Sequence, residues 1–344
     1  MAELSNTELR WGVVGPGRIA HNVVADFHGR GNDGSSGQMA SGRIAAVASR
    51  SIDRARSFAD EFAVPTAYGS YRDLIADDQI DAVYLATPHP QHLAVGLAAA
   101  DAGKHLLVEK TFTATVPGAE ELVAAARSAG VFCMEAMWTR FQPVWVEVRR
   151  LIADGAIGEL RQVRADLGVA RDYDPTDRLF DPAQGGGALL DVGVYVVSLA
   201  QWLLGNPTSV SVTGKQARSG VDGEAALLLS YDDGRAALLQ CSIHYPLPGG
   251  ALLVGTEGSI EVLPRFHHPR TFLLRNRAGD VREVTLEPRG AGYAHEFDEV
   301  HRCVAGGLTE SPVMPLADTL AVQRILNDAC ARLGVVHAED RSAY

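Results

Sequence analysis

Leu9-Arg10-Trp11-Gly12-Val13-Val14-Gly15-Pro16-Gly17-Arg18-Ile19-Ala20 runs from a short apolar segment directly into a glycine turn. Leu9 to Gly15 reads as a buried strand, and Gly15, Gly17 and Ala20 fit a G-x-G-x-x-A pattern that opens a helix. Each small residue has its own task. Gly15 lets the chain turn tightly, Gly17 lets the backbone approach a pyrophosphate, and Ala20 lets the helix pack closely on the strand. Amides at the start of the helix, around Arg18 and Ile19, then face the phosphates. Strand, turn and helix in this order point to a dinucleotide site on a parallel sheet.

Outward from this stretch, Ile44 to Ala48, Ala82 to Ala86, His105 to Val108 and Val131 to Met134 read as further strands. Alanine-rich helices at Gln91 to Ala102 and Val116 to Ala129 lie between them. Short β-branched strands alternating with helices imply parallel βαβ units covered on both faces. After about residue 137 the rhythm changes. Leu160 to Val169, Ser209 to Gln216, Ala225 to Ile243 (broken at Asp232-Asp233-Gly234), Leu252 to Leu263 and Thr271 to Leu286 read as mostly antiparallel strands joined by tight turns. The expected fold class is α/β, with a Rossmann doubly wound parallel sheet over residues 1–137. An α+β domain with an open, predominantly antiparallel sheet is expected over residues 138–344. Gly29 to Gly42, rich in glycine and serine, reads as a surface insertion.

A chain of 344 residues exceeds the usual size of one hydrophobic core, which agrees with two domains. At 47% hydrophobic and 21% charged residues it has the composition of a soluble globular protein. The net charge of −11 argues against nucleic acid or an anionic membrane as partner. Met1 to Arg10 is polar and acidic, unlike a secretory or transit segment. The longest apolar run, Val196 to Leu204, is about half of the roughly 18 residues that a bilayer span needs. Cys133, Cys241, Cys303 and Cys330 are scattered without a C-x-x-C pair, which fits reduced thiols in the cytoplasm and offers no zinc or disulfide framework. His89 and His92 are not at ligand spacing with another His or Cys cluster, so no metal is expected.

The tip of the second strand bears on the choice of dinucleotide. NAD sites place an acid there for the ribose hydroxyls, whereas NADP sites place a cation for the 2′-phosphate. Here the residues are Ser49-Arg50-Ser51, with Arg54 one helical turn on, and the expectation is NADP. Asp33 lies inside the insertion and is a poor ribose ligand. Far downstream, Gly185-Gly186-Gly187-Ala188-Leu189-Leu190-Asp191-Val192-Gly193-Val194-Tyr195 sets a carboxylate and a phenol four residues apart, on one helix face.

Further motifs follow the expected strands in order: Thr87-Pro88-His89-Pro90-Gln91-His92, Glu109-Lys110-Thr111, and Met134-Glu135-Ala136-Met137-Trp138-Thr139-Arg140-Phe141. With the stretch through Asp191 and Tyr195, they resemble the glucose-fructose oxidoreductase/inositol dehydrogenase/MocA-like family over essentially the whole chain. That family usually has histidine four residues after the aspartate. Tyr195 in its place resembles the dimeric dihydrodiol dehydrogenase branch, whose members also act as NADP-dependent D-xylose dehydrogenases. The resemblance implies that Lys110 lies beside the nicotinamide and shares proton transfer with Tyr195. Thr111 stands where proline is usual, which is expected to relax a cis-like turn. The resemblance also implies that Trp138 lines the substrate pocket, with Arg140 and Arg178 near cofactor or substrate; Asp191, one turn before Tyr195, is expected to accept a substrate hydroxyl or to orient Lys110. It sets Thr87, Pro88, His89 and His92, with Glu109, against the cofactor, and it implies a homodimer formed through the open sheet. Phe266 and His267 are weaker candidates for the pocket border.

Elementary chemistry leads to the same pair. Hydride departure from a carbinol requires a base within hydrogen-bond reach of its hydroxyl. Lysine and tyrosine both have ordinary pKa values of about 10, and a neighbouring ammonium favours phenolate. The expected activity is NADP-dependent oxidation of a hydroxyl on a sugar or cyclic trans-diol, or reduction of the matching carbonyl. An NAD-dependent sugar or inositol dehydrogenase of the same family is the alternative. A non-catalytic NADP-binding transcriptional regulator is the alternative of another class, and the set Lys110, Asp191 and Tyr195 speaks against it.

Overall fold

The apolar run Trp11 to Val14 is buried on both sides because it forms the middle of a parallel sheet. A computed structural model describes residues 8–29 and 40–344. Most of the Gly29 to Gly42 insertion, with Asp33, and most of the polar start lie outside the described residues. The first elements are β1 (Arg10–Val14), α1 (Arg18–Phe27), β2 (Arg43–Ala48), α2 (Ile52–Phe62), β3 (Thr66–Tyr68), α3 (Tyr71–Ile75), β4 (Ala82–Leu85), α4 (His92–Asp101), β5 (His105–Glu109), α5 (Val116–Ala129) and β6 (Cys133–Ala136). They build a six-stranded, all-parallel sheet in the order β3-β2-β1-β4-β5-β6. The order reverses between β1 and β4, which opens a crevice at the carboxyl ends of those strands. Strand β3 has no apolar signature in the sequence, and its three residues are only half-buried.

The next segment builds a second sheet. Helix α6 (Pro143–Ala153) leads to β7 (Leu160–Gly168), and α7 (Val194–Leu204) follows a π-helical turn at Leu189–Gly193. Then come β8 (Ser209–Gln216), β9 (Asp222–Ser230), β10 (Ala236–Ser242), β11 (Ala251–Gly255), β12 (Gly258–Val262), β13 (Thr271–Asn276) and β14 (Val281–Thr285). The eight strands lie in the order β14-β13-β12-β11-β7-β10-β9-β8, and β7 with β10 is the parallel pair in an otherwise antiparallel sheet. Alternation along β9 and β10 turns Leu227, Leu229, Leu239 and Cys241 inward, and α7 packs over β7 and β10. Leu228 and Leu238 point the other way. The segment Pro182–Leu204 spans 23 residues, interrupted by the turn at Gly185 to Gly187, and is longer than the run Val196 to Leu204 read from the sequence. By length and composition it meets the requirement for a bilayer span, and most of it is buried as a core helix of this unit.

Helices α8 (Ala294–Ala305) and α9 (Leu316–Arg332) complete the chain. They correct the expectation that everything from 138 to 344 forms one second domain. One compact unit comprises Met1–Trp138, Arg289–Thr319 and Glu339–Tyr344, and the other comprises Thr139–Pro288 and Leu320–Ala338. The reason is side-chain packing. Phe297 of α8 sets its ring edge-to-face against Trp11 (4.7 Å), Phe27 (5.0 Å) and Tyr84 (5.7 Å). The Asp26 carboxylate accepts the amides of Ala291, Tyr293 and Ala294 at 2.6–3.0 Å, satisfying donors that the start of α8 would otherwise leave unmade. Glu339 likewise accepts the amide and hydroxyl of Thr115. Truncation of Phe297→Ala is expected to cost about 3–5 kcal/mol in urea unfolding, whereas a loss under about 1 kcal/mol would show that α8 is not part of this core.

Candidate active site

At the crevice of the first unit, Gly15 has φ +90°, and its amide donates to the carbonyl of Ala48 at 3.0 Å. A Cβ there would press on the Thr87 methyl at 2.9 Å and the Ala86 carbonyl at 3.0 Å, so only glycine closes this turn. Gly17 is different. A Cβ on it would meet only the Ala86 carbonyl at 4.0 Å, which leaves an open approach at the N-cap of α1. No side chain caps that helix start and no acid occupies its first turn. Arg18 is exposed and Ile19 half-buried in that turn, as an anion-binding helix start requires. The residues therefore fit a dinucleotide pyrophosphate.

Ser49 is buried at the tip of β2, and its hydroxyl accepts the amide of Ser51 at 3.3 Å. Arg50 and Arg54 are exposed beside it. Arg50 and Arg54 lie close enough to the Tyr71 hydroxyl for both cations to act electrostatically on that phenol. This sets two positive groups and no carboxylate at the strand tip.

The loops after β4 and β5 are tied together by His92. Its ring is fully buried, with Nε2 2.7 Å from the Thr87 carbonyl and Nδ1 3.1 Å from that of Thr111. His92 therefore fixes the loop of Thr87, Pro88 and the buried His89, holding the residues next to the crevice. Glu109 braces the neighbouring segment: it accepts the Tyr84 hydroxyl at 2.6 Å and the amide of Lys110 at 3.1 Å. The Lys110–Thr111 peptide is cis, so threonine in place of proline has not removed that turn. At the end of the first unit's main segment, Trp138 stacks on Tyr293 with ring centroids 4.1 Å apart and planes at 4°.

In the second unit, Arg178 donates to Asp191 Oδ1 at 2.6 Å, joining two residues that the sequence singled out separately. Asp191 lies in the π-helical turn, and Tyr195 lies in the first turn of α7. Such widened turns often mark functional sites. The Tyr195 ring lies 5.1 Å from the half-buried His267, whose carbonyl accepts the Thr139 hydroxyl at 2.8 Å. Phe266 is fully buried, and its carbonyl accepts Trp145 Nε1–H at 2.7 Å. Arg140 is 1% exposed, with its guanidinium on Ser198 and Gln201 of α7 and over the Trp202 ring. These contacts tie Arg140 to α7.

Residues 9–137 match the model of an oxidoreductase family with an NAD-binding Rossmann fold, and residues 145–261 match the GFO/IDH/MocA C-terminal domain. The trans-1,2-dihydrobenzene-1,2-diol dehydrogenase of Danio rerio is 34% identical over 341 residues, covering 96% of this chain and 99% of that protein. The chain belongs to the GFO/IDH/MocA family of oxidoreductases. Among solved structures, a 3-ketoreductase from Actinomadura kijaniata in complex with TDP-benzene and NADP has a TM-score of 0.79 at 25% identity, covering 97% of this chain and 99% of that one. Levoglucosan dehydrogenase in complex with NADH and levoglucosan has a TM-score of 0.82 at 21% identity, covering 95% and 98%, and shares the fold. As in other GFO/IDH/MocA oxidoreductases, the first unit is an NAD(P)-binding Rossmann domain.

This GFO/IDH/MocA chain also holds a group of buried carboxyls that the sequence did not reveal as a group. Glu135 accepts the amide of Phe112 at 3.1 Å, close after Lys110 in the chain. Glu296 of α8 is fully buried, and burial together with the charges of Glu109 and Glu135 pushes its carboxyl well above the usual range. Its one sequence signal is a place beside Phe297 on the inward face of α8. The fold therefore keeps a proton that the unfolded chain releases above about pH 4.3, and stability falls as pH rises from there. Glu296→Gln removes this titration at nearly constant volume. Urea midpoints of the variant are expected to fall less than those of the wild type between about pH 5 and about pH 8, and parallel curves would refute the assignment.

Proposed function

We propose that this oxidoreductase is an NADP-dependent dehydrogenase that oxidises a hydroxyl of a sugar or cyclic trans-diol, or reduces the matching carbonyl. Lys110 and Tyr195 are its acid–base groups. The observation that carries the proposal is the identity of 34% with trans-dihydrodiol dehydrogenases over 99% of their length. Those relatives act by name on a cyclic trans-diol. Arg50 and Arg54, with no acid at the tip of β2, support NADP over NAD.

The residues would divide the work as follows. Gly15, Gly17 and the start of α1 hold the pyrophosphate, while Ser49, Arg50 and Arg54 take the 2′-phosphate. The bound nicotinamide supplies the hydride acceptor. The protein must then manage one proton. Tyr195 takes it from the substrate hydroxyl, and Lys110 supplies the positive charge that favours phenolate. Arg178 fixes the Asp191 carboxylate for accepting a second substrate hydroxyl. Trp138, held flat by Tyr293, offers an apolar wall to a ring.

Leu228 and Leu238 are register partners on β9 and β10, 43% and 42% exposed. They support a homodimer formed through this face of the second unit. The four cysteines are free of disulfides and buried, which supports a reducing, cytoplasmic setting.

Tyr195→Phe and Lys110→Met are each expected to lower turnover by about 10²–10⁴-fold on a panel of aldoses and trans-diols. NADP affinity should stay within about tenfold, or about 1.4 kcal/mol, by fluorescence titration. Loss of cofactor binding in both variants would show that the two residues belong to the cofactor shell. Wild-type protein should bind NADP more tightly than NAD, with Arg50→Ala narrowing the gap; tighter NAD binding defeats the role given to Arg50. Light scattering should give a dimer mass that Leu228→Glu with Leu238→Glu reduces to a monomer. A monomeric wild type contradicts the dimer.

A further inference from the structure

Away from the candidate catalytic groups, three side chains with different metal-ligating chemistry meet inside the second unit. Asp222 opens β9, Cys330 lies in the last turns of α9, and His337 follows the Gly334 turn just beyond that helix. One ligand atom from each lies within 4.8 Å of the others. All three residues are buried, with Asp222 at 0% and His337 at 8% exposure.

The cluster contains polar atoms that the chain itself leaves unsatisfied. Asp222 Oδ2 accepts the amide of Leu189 at 2.5 Å, while Oδ1 has no partner among the described residues. Both ring nitrogens of His337 are also buried without a partner among those residues. A neutral imidazole carries one donor and one acceptor, so two buried groups that no side chain or backbone group meets need an explanation. A cation bound between the three side chains would satisfy the unmet Asp222 Oδ1 and a ring nitrogen of His337 together.

We propose that Asp222, Cys330 and His337 bind one divalent ion of the zinc class as a structural site of the second unit. Thiolate, imidazole and carboxylate together suit a borderline ion. Calcium and magnesium take oxygen ligands alone. With Zn–N near 2.0 Å and Zn–S near 2.3 Å, the donors need to close by about an ångström. His337 lies on chain beyond the helix end, where such a shift is easiest. Binding releases the Cys330 thiol proton to solvent as the sulfur–metal bond forms. Cys241 on β10 lies near Asp222 but outside the group of mutually close donors, so a water completes the tetrahedron. The ion would tie β9 to the end of α9. Through the Leu189 amide it would also steady the turn that carries Asp191. The sequence led to no metal because its test was spacing, and these three residues are far apart in the chain.

Cobalt(II) is the probe, added to full-length protein equilibrated with chelator and then freed of it. One equivalent per chain is expected to give a thiolate-to-cobalt charge-transfer band and the intense visible bands of a tetrahedral ion, discharged by zinc. Cys330→Ser should lose the charge-transfer band, and His337→Phe, which keeps the site filled and apolar, should weaken cobalt binding by about tenfold or more. Cys241→Ser should still bind one equivalent. Zinc should raise the melting temperature of the wild type and leave that of His337→Phe unchanged. The proposal fails if wild-type protein gives no stoichiometric cobalt spectrum, or if the same spectrum persists in Cys330→Ser. It fails equally if His337→Phe is more stable than a wild type that binds no metal, since the cluster would then be a mismatched polar core.

Discussion

The carboxylate of Asp222 holds the Leu189 amide at the start of the helical segment bearing Asp191 and Tyr195, and most of what the second unit can do depends on that contact. It explains the glycine run. Gly187 has φ +123°, and a Cβ there would collide with Asp222 Oδ1, so the turn must be bare for the carboxylate to reach the helix start. Once this end is fixed, Arg178 can meet Asp191, Arg140 can anchor α7 from the side, and Tyr195 emerges half-buried beside His267. The glycine run is a tightly packed joint.

The first unit works by the same logic with other atoms. Gly15 permits the close approach of β1 to the Ala86-Thr87 segment, His92 ties that segment to the one after Lys110, and Glu109 holds the Lys110 amide. The cost of such rigidity is a group of buried acids, Glu109 with Glu135 and Glu296, in which burial and the neighbouring charges push the Glu296 carboxyl well above the usual range. Lys110 is thus set by backbone contacts and buried hydrogen bonds.

Much of this is legible in the chain because the signals are local. The strand before Gly15, the small residues of its turn, the alternation along β9 and β10, and the four-residue spacing from Asp191 to Tyr195 can be read without knowledge of distant contacts. The return of α8 to the first unit is not legible. It depends on Phe297 finding Trp11, Phe27 and Tyr84, and on Asp26 meeting three amides far along the chain. The packing of Arg140 against α7 and of Phe266 against Trp145 is hidden for a related reason: residue type and motif position do not reveal which distant side chain a residue meets. The Asp222, Cys330 and His337 cluster escapes any spacing rule, because only tertiary packing assembles it.

Family membership and the Rossmann crevice make the chain an oxidoreductase, and the chemistry proposed for it is hydride transfer from a carbinol carbon. The most direct measurement is the fate of that hydrogen. A trans-diol or aldose carrying deuterium at the reacting carbon should yield NADPH with one deuterium on the nicotinamide ring per turnover, read by mass spectrometry. Reduced cofactor containing only protium, or no reduced cofactor from a broad panel with folded protein, would contradict the account.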